Sequence, residues 1–171
     1  MAADDEFDRF YLGARGRLVG QLFALTGDLH DAEDLVQEAF ARAAANWKRI
    51  RAYEVPEAWV RRVAFNLAHN RGRRLKRHAA ALVRLGRPPE VPPMSVDLVA
   101  LVQALKALPT PQREAVVLHH MAGVPVDQIA AQLGAPVGTV KSWLSRGRVS
   151  LARRLGERPT NALEGVEASN G

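Results

Sequence analysis

The sequence predicts an all-α fold of two small helical domains joined by a flexible proline-rich linker. Apolar side chains recur at helical spacing through most of the 171 residues, and no segment alternates apolar and polar residues long enough for a strand. Four of the ten prolines fall within residues 86–93, which excludes a regular helix there. We therefore predict a first domain over residues 1–81, a linker over 82–95, a second domain over 96–156 and a disordered tail over 157–171.

The first domain is predicted to begin with two helices separated by a glycine. The first spans about Asp5 to Thr26 and ends at Gly27. Asp28 or Asp31 can cap the second helix. Its apolar side chains recur every three or four residues and form one continuous stripe, made of Ala32, Leu35, Val36, Ala39, Phe40, Ala43 and Trp47. A stripe of this length predicts that the second helix packs against the rest of the domain along one side.

The third helix is predicted to begin at Pro56 and to run toward Ala81, after a basic loop over residues 48–55. Cations, amides and aromatic rings share its outward face, which holds Arg61, Arg62, Phe65, Asn66, His69, Asn70, Arg73 and Arg74. Aromatic rings stack on unpaired bases, and amides recognise exposed base edges, so this segment with Tyr53 predicts a surface for strand-separated DNA. The alternative is that Trp59 and Phe65 are core residues and the arginines form a solvated face.

Charge is distributed unevenly along the chain. Residues 1–38 carry 9 acidic and 3 basic side chains, whereas residues 39–87 carry 13 basic and 2 acidic side chains. This asymmetry predicts one surface that meets a polyanion and another that meets a different partner.

The absence of cysteine excludes disulfides, a thiol nucleophile and cysteine-ligated metals. The start is acidic and no apolar stretch is long enough to span a membrane, so we expect a cytoplasmic protein without membrane insertion.

Acidic side chains cluster on the second helix, from Asp28 to Glu38. Acids in the first turn stabilise the helix dipole, and those farther along face solvent beside the apolar stripe. This arrangement favours a protein-docking surface. The alternative, from a different functional class, is a metal-dependent nuclease that uses Asp28, Asp31 and Asp34. The adjacent His119 and His120 point about 100° apart, which is poor geometry for one metal ion.

The second domain is predicted to hold four helices, over about 96–108, 110–121, 126–133 and 136–155. The last two, with a turn at Gly134 between them, have the layout of a DNA-binding helix-turn-helix. The outward face of the final helix combines small or hydroxyl residues with cations that can pair with phosphates or guanine edges, namely Gly138, Thr139, Lys141, Ser142, Ser145, Arg146 and Arg148. The alternative is an ordinary helical hairpin with a solvated basic face.

An ordered set of motifs links these segments to a known family. In the first domain they are Asp31–Phe40 and Pro56–Asn66, and in the second they are Leu108-Pro109, Gln112-Arg113-Glu114, Ile129-Ala130, Leu133-Gly134 and Gly138–Ser142 with Arg146. With a linker between the two groups, the chain resembles the extracytoplasmic-function (ECF) group of bacterial RNA polymerase sigma factors, over about residues 5–80 and 96–155. Such factors keep two domains, called regions 2 and 4.

The resemblance implies a promoter-specificity subunit that binds core RNA polymerase through its β and β′ subunits and recognises promoter DNA. It implies no cofactor, no metal and no catalysis by the chain itself. The implied core-binding residues are Asp31, Asp34, Gln37 and Glu38. The implied minus-10 contacts are Lys48, Arg49, Arg51, Tyr53, Arg61, Arg62, Asn66 and Arg73. The implied minus-35 contacts are Thr139, Lys141, Ser142, Ser145, Arg146 and Arg148. Anti-sigma factors are usual partners in the family.

The chain departs from the family pattern at three positions of the second domain. Trp143 stands where an arginine is common, Asp127 where glutamate is common, and Gly147 where alanine often occurs. The alternative function is a stand-alone helix-turn-helix regulator. That hypothesis accounts for residues 113–156 but assigns no role to the acidic second helix or the basic third helix.

Overall fold

The computed structural model describes residues 2–79 and 95–156, and every regular element in these two ranges is helical. The all-α prediction is therefore confirmed. The chain divides into two compact units, Met1–Pro92 and Pro93–Gly171. The predicted linker, apart from Ser95, and the predicted tail lie outside the described residues. No helix within the described ranges is both long and apolar enough to cross a membrane.

Within residues 2–79, the first unit has three long helices and one short helix. They are α1 (Ala2–Thr26), α2 (Leu29–Ala45), α3 (Trp47–Ile50) and α4 (Pro56–Ala79). Gly27 ends α1 with a φ of 72°, a conformation that costs glycine little. Asp28 is the N-cap of α2, because its Oδ1 accepts a hydrogen bond of 3.0 Å from the backbone N–H of Asp31. Of the two predicted caps, the structure therefore uses Asp28.

The predicted apolar stripe forms the centre of the first unit, and all seven of its residues are buried, six in α2 and Trp47 at the start of α3. Leu18 and Leu22 of α1 are fully buried with it. An aromatic cluster closes one end, where the Phe10 ring stacks on Trp47 with centroids 5.0 Å apart. Tyr11 meets Phe40 edge-on at 4.9 Å. These contacts fix the start of α1 against α2 and α3.

The second unit contains α5 (Val96–Lys106), α6 (Thr110–Val116), a π-helical turn (Val117–Met121), α7 (Val126–Leu133) and α8 (Val137–Leu155). The segment predicted as a helix over 110–121 is helical throughout, but its second half is a π-helical turn. There the Ala122 N–H donates to the Val117 carbonyl, a π-helical hydrogen bond of 3.1 Å. The Val124 N–H then donates to the Leu118 carbonyl at 2.9 Å, which turns the chain toward α7.

The corner between α7 and α8 matches the predicted helix-turn-helix. Gly134 caps α7 in the left-handed conformation, with φ 64° and ψ 37°, and Pro136 precedes α8. Ile129 and Val140 are fully buried between the two helices. Gly147 is buried where α8 crosses α6, so close that a Cβ atom added there would lie 2.7 Å from Val116 Cγ2. This close crossing sets the position of α8 in the unit.

Candidate functional site

The first candidate surface is the acidic face of α2. Asp34, Gln37 and Glu38 are exposed and lie within about 100° of one another on the helix, opposite its buried stripe. Glu38 pairs with Arg42 at 2.6 Å, an exposed contact one turn away. Two carboxylates and one amide therefore point to solvent from a rigid helix. Such a patch suits a basic protein surface.

Asp31 differs from the other three predicted docking residues because it pairs with a residue of another helix. It is half-buried, and its Oδ1 accepts a hydrogen bond of 2.9 Å from Arg71 of α4. Because Asp28 is the cap and Asp31 is paired, two of the three carboxylates in the nuclease hypothesis already have partners. Within residues 2–79 and 95–156, no group of three or more His, Asp or Glu side chains could hold a metal ion.

The second candidate surface surrounds the segment between α2 and α4. The prediction of a loop over 48–55 is wrong at its start, where Lys48 and Arg49 belong to the short helix α3. Buried Trp47 and Ile50, three residues apart, anchor one helical turn there and leave both cations exposed. A true turn follows over residues 51–54, and it carries Tyr53 with 40% of its surface exposed.

The face of α4 continues this surface with Arg62, Asn66 and Arg73. All three are exposed and lie within about 40° of one another on the helical wheel, so they form a line along α4. Phe65 does not join them, because it is buried with only 3% of its surface exposed. The hypothesis that Phe65 stacks on bases is therefore wrong, and its ring is part of the core. Trp59 is half-buried.

Arg61 lies on a different side of α4 from that line. It is half-buried, and this burial lowers the pKa of its guanidinium, while the nearby Glu57 carboxylate acts in the opposite direction. Glu57 also accepts two hydrogen bonds from Arg17 of α1, at 2.7 and 3.3 Å. This contact raises the pKa of Arg17. Glu57 therefore sits between two arginines at the start of α4 and ties α4 to α1.

The third candidate surface is the outward face of α8. Thr139, Ser142 and Arg146 lie within about 60° of one another, and Ser142 and Arg146 are exposed while Thr139 is half-buried. A second exposed group, made of Lys141, Ser145 and Arg148, is centred about 120° around the helix from the first. Short side chains near the start of the helix permit close approach to a groove.

Arg113, part of the Gln-Arg-Glu motif, is half-buried and links two helices of the second unit. Its guanidinium donates to the Lys106 carbonyl at 3.2 Å and to Thr110 Oγ1 at 3.5 Å, joining the end of α5 to the start of α6. Burial lowers its pKa, and Glu114 opposes that shift. Arg113 therefore holds the start of α6 against the end of α5.

Comparisons with known proteins connect the two units to one family. A family model described as "Sigma-70 region 2" matches residues 10–78, and one described as "Sigma-70, region 4" matches residues 98–151. The RNA polymerase sigma-E factor of Streptomyces coelicolor is 31% identical, with 92% of this chain and 90% of the relative covered. The ECF RNA polymerase sigma factor SigW of Bacillus subtilis is 30% identical, with 78% of this chain and 80% of the relative covered. The chain belongs to the ECF group of RNA polymerase sigma factors.

A solved structure supports the same family at the level of fold. The sigma factor RpoE of Bartonella quintana, determined in complex with the anti-sigma factor NepR, aligns with a TM-score of 0.70 and 26% identity. The alignment covers 90% of this chain and 99% of that one. In sigma-factor terms the acidic α2 face and the α4 line belong to region 2, and the α8 face belongs to region 4. A sigma factor is a transcription initiation factor, and the stand-alone regulator hypothesis is not favoured.

Three features of these surfaces were missed by the sequence interpretation. Arg71 and Arg17 pair with carboxylates 40 residues away, and no local pattern signals a contact at that separation. Val149 is 57% exposed among the polar residues of the α8 face. The helical repeat places Val149 one turn after Ser145, so the sequence could have predicted its exposure. Its methyl groups form an apolar patch on the otherwise polar region 4 surface.

Proposed function

We propose a division of labour in which region 2 of this sigma factor docks on core RNA polymerase and captures the minus-10 element, while region 4 binds the minus-35 element. The observation that carries this proposal is the segregation of exposed charge, with acids on α2 and cations on α4 and α8. We assign region 2 to residues 1–81 and region 4 to residues 96–156. Synthesis of RNA remains the chemistry of the polymerase.

For core binding we assign Asp34, Gln37 and Glu38 to the docking face, with Asp31 at its edge. The first three are exposed on one side of α2, while the other side is buried along its whole length. Asp31 supports this face through its 2.9 Å contact with Arg71. The resemblance to ECF factors implies the clamp coiled coil of the β′ subunit as the surface that α2 meets.

For minus-10 recognition we assign stacking to Tyr53 and base-edge recognition to Asn66. Arg62 and Arg73 lie in line with Asn66 on α4, where they can follow a phosphate backbone. Lys48, Arg49 and Arg51 add cations beside the turn, and half-buried Arg61 lies on a flank of α4. Flipping a base costs a few kcal/mol, and a stacked aromatic contributes about 1–3 kcal/mol, so capture of unpaired bases can assist melting.

For minus-35 recognition we assign base contacts to Thr139, Ser142 and Arg146. Lys141, Ser145 and Arg148 form the second exposed group of α8, where phosphate contacts would orient the helix in the major groove. The solved relative is complexed with an anti-sigma factor. We propose that this chain has a regulatory partner of that class, and that it acts in the cytoplasm, where core polymerase and promoter DNA are found.

The experiment that tests this function is run-off transcription with purified core polymerase and a promoter library. We expect transcripts from a defined subset of promoters only when the chain is added, and recovery of those promoters supplies the minus-35 and minus-10 sequences. Gel shifts with and without core polymerase distinguish the proposed function from the alternative, a stand-alone regulator. Tight sequence-specific binding by the protein alone, together with no run-off product, would establish a stand-alone regulator instead.

A further inference from the structure

The acidic start of α1 contacts Arg51, one of the basic residues assigned to minus-10 recognition. The Arg51 guanidinium donates to Glu6 Oε2 at 3.0 Å, between two residues 45 positions apart in the chain. Both side chains are nearly half-exposed, at 43% for Arg51 and 45% for Glu6. The pair is therefore open to solvent and to any competing anion.

A cleft beside this ion pair repeats the same juxtaposition of charges. It has a volume of about 380 Å³ and is lined by acids from α1, Asp4 and Asp8, and by cations from the second candidate surface, Lys48 and Arg51. Phe7 and Trp47 also line the cleft, and their rings meet edge-on at 5.2 Å. This aromatic contact fixes the first turns of α1 against α3, so the acids are held beside the cations by core packing.

We propose that Glu6 occupies, in the free protein, the place of a DNA phosphate on Arg51, and so acts as an autoinhibitory contact. The inference rests on the proposed role of Arg51 in minus-10 binding. When a phosphate displaces Glu6, one exposed ion pair is exchanged for another, with little net gain. Arg51 then adds little affinity for arbitrary DNA. Stable binding depends instead on the stacking and base-edge contacts that only an unpaired minus-10 segment provides.

The test compares two substitutions that remove the same charge from neighbouring residues of α1. Glu6→Gln removes the negative charge that pairs with Arg51, whereas Asp5→Asn changes an exposed residue that does not line the cleft. Each full-length variant is assembled with core polymerase. Its affinity for a forked promoter fragment, with the minus-10 sequence recovered from the run-off library, is measured by fluorescence anisotropy across a salt series.

We expect Glu6→Gln to bind the fork about twofold to fivefold more tightly than wild type at about 50 mM salt. The salt dependence of log K should steepen by up to about 0.7, because a freed Arg51 releases a counterion from single-stranded DNA on binding. Asp5→Asn should tighten binding less than Glu6→Gln does, because Asp5 has no direct ion pair with Arg51 and its charge acts on Arg51 only through solvent. Equal tightening by Asp5→Asn would overturn the proposal in favour of a general charge effect.

A double-mutant cycle with Arg51→Gln completes the test. Arg51→Gln should weaken fork binding little in the wild-type background, where Glu6 already offsets the gain from Arg51, and about twofold to fivefold in the Glu6→Gln background. If Arg51→Gln changes nothing in either background, the assignment of Arg51 to minus-10 binding fails and the inference fails with it. If Arg51→Gln weakens binding but Glu6→Gln matches wild type, the inference alone is overturned. A weaker Glu6→Gln complex would also overturn it, because Glu6 would then position Arg51 for DNA.

Discussion

Replacing Gly147 by alanine tests whether the crossing of α6 and α8 fixes the minus-35 helix. A Cβ atom at this position would lie 2.7 Å from Val116 Cγ2, closer than carbon atoms pack, and valine has few rotamers with which to yield. Overpacking of this kind costs about 1–3 kcal/mol. Alanine is better than glycine in a helix by about 1 kcal/mol, so the net expectation is a loss of up to about 2 kcal/mol.

The matched control is the same substitution in the same helix at Gly138, where nothing lies within 4 Å of the added Cβ. Gly138→Ala should raise the free energy of unfolding by up to about 1 kcal/mol. Native-state hydrogen exchange of the α6 and α8 amides, measured by mass spectrometry on the full chain, reports the stability of this unit separately from the first.

The double variant Gly147→Ala with Val116→Ala identifies the cause. Val116→Ala alone should lower stability by opening a cavity. Val116→Ala also removes the methyl group that the added Cβ would meet. The double variant should therefore lose less unfolding free energy than the two single variants added together, by about 1 kcal/mol or more. Exchange protection in Gly147→Ala equal to or above wild type, with no coupling to Val116, would refute the close crossing as the constraint on α8.

The other predictions concern the three assigned surfaces. Asp34→Lys with Glu38→Lys reverses the charge of the α2 face and should abolish co-purification with core polymerase, and undiminished co-purification would exclude these residues as the docking face. Asn66→Ala should slow opening of duplex promoters in a fluorescence melting assay and have little effect on a pre-melted template, and an equal defect on both would argue against a role in melting. Lys141→Ala and Arg146→Ala should each weaken binding of minus-35 DNA, Arg146→Ala by about 1–3 kcal/mol if it contacts a base, and both should leave core binding intact. Loss of core binding in these two variants would indicate misfolding instead.

The helices of both units were predictable because each is encoded locally. The stripe predicted for the second helix repeats at helical spacing over sixteen positions, from Ala32 in α2 to Trp47 at the start of α3, and every member is buried. Gly27 and Gly134 end their helices with positive φ, as residues without a Cβ are expected to do. Such signals need only a few neighbouring residues.

The errors arise where tertiary packing overrides the local pattern. Phe65 lies next to polar residues on α4, but its ring is buried in the core of the first unit. Lys48 and Arg49 were predicted in a loop, yet the buried side chains of Trp47 and Ile50 hold them in a helical turn. Polar neighbours in the sequence do not show whether a residue such as Phe65 faces another helix or solvent.

The ion pairs at the candidate surfaces were not predictable for a different reason. Glu6 and Arg51 are 45 residues apart, and their contact depends on how α1 lies against α3. Composition shows that the chain has an acidic start and a basic middle. It does not show that these charges meet one another in the folded protein.

The π-helical turn over Val117–Met121 makes the number of residues at this corner important as well as their identity. A hydrogen bond from residue i+5, such as Ala122 N–H to Val117 O, accommodates one residue more than an α-helical turn does. Deleting one residue here would rotate the following segment by about 100° relative to α6. The His119 Nδ1 contact with the Val124 carbonyl, now 3.1 Å, would then be lost. The chain thus encodes the direction in which it leaves α6 toward α7 partly as a length, which substitutions alone cannot alter.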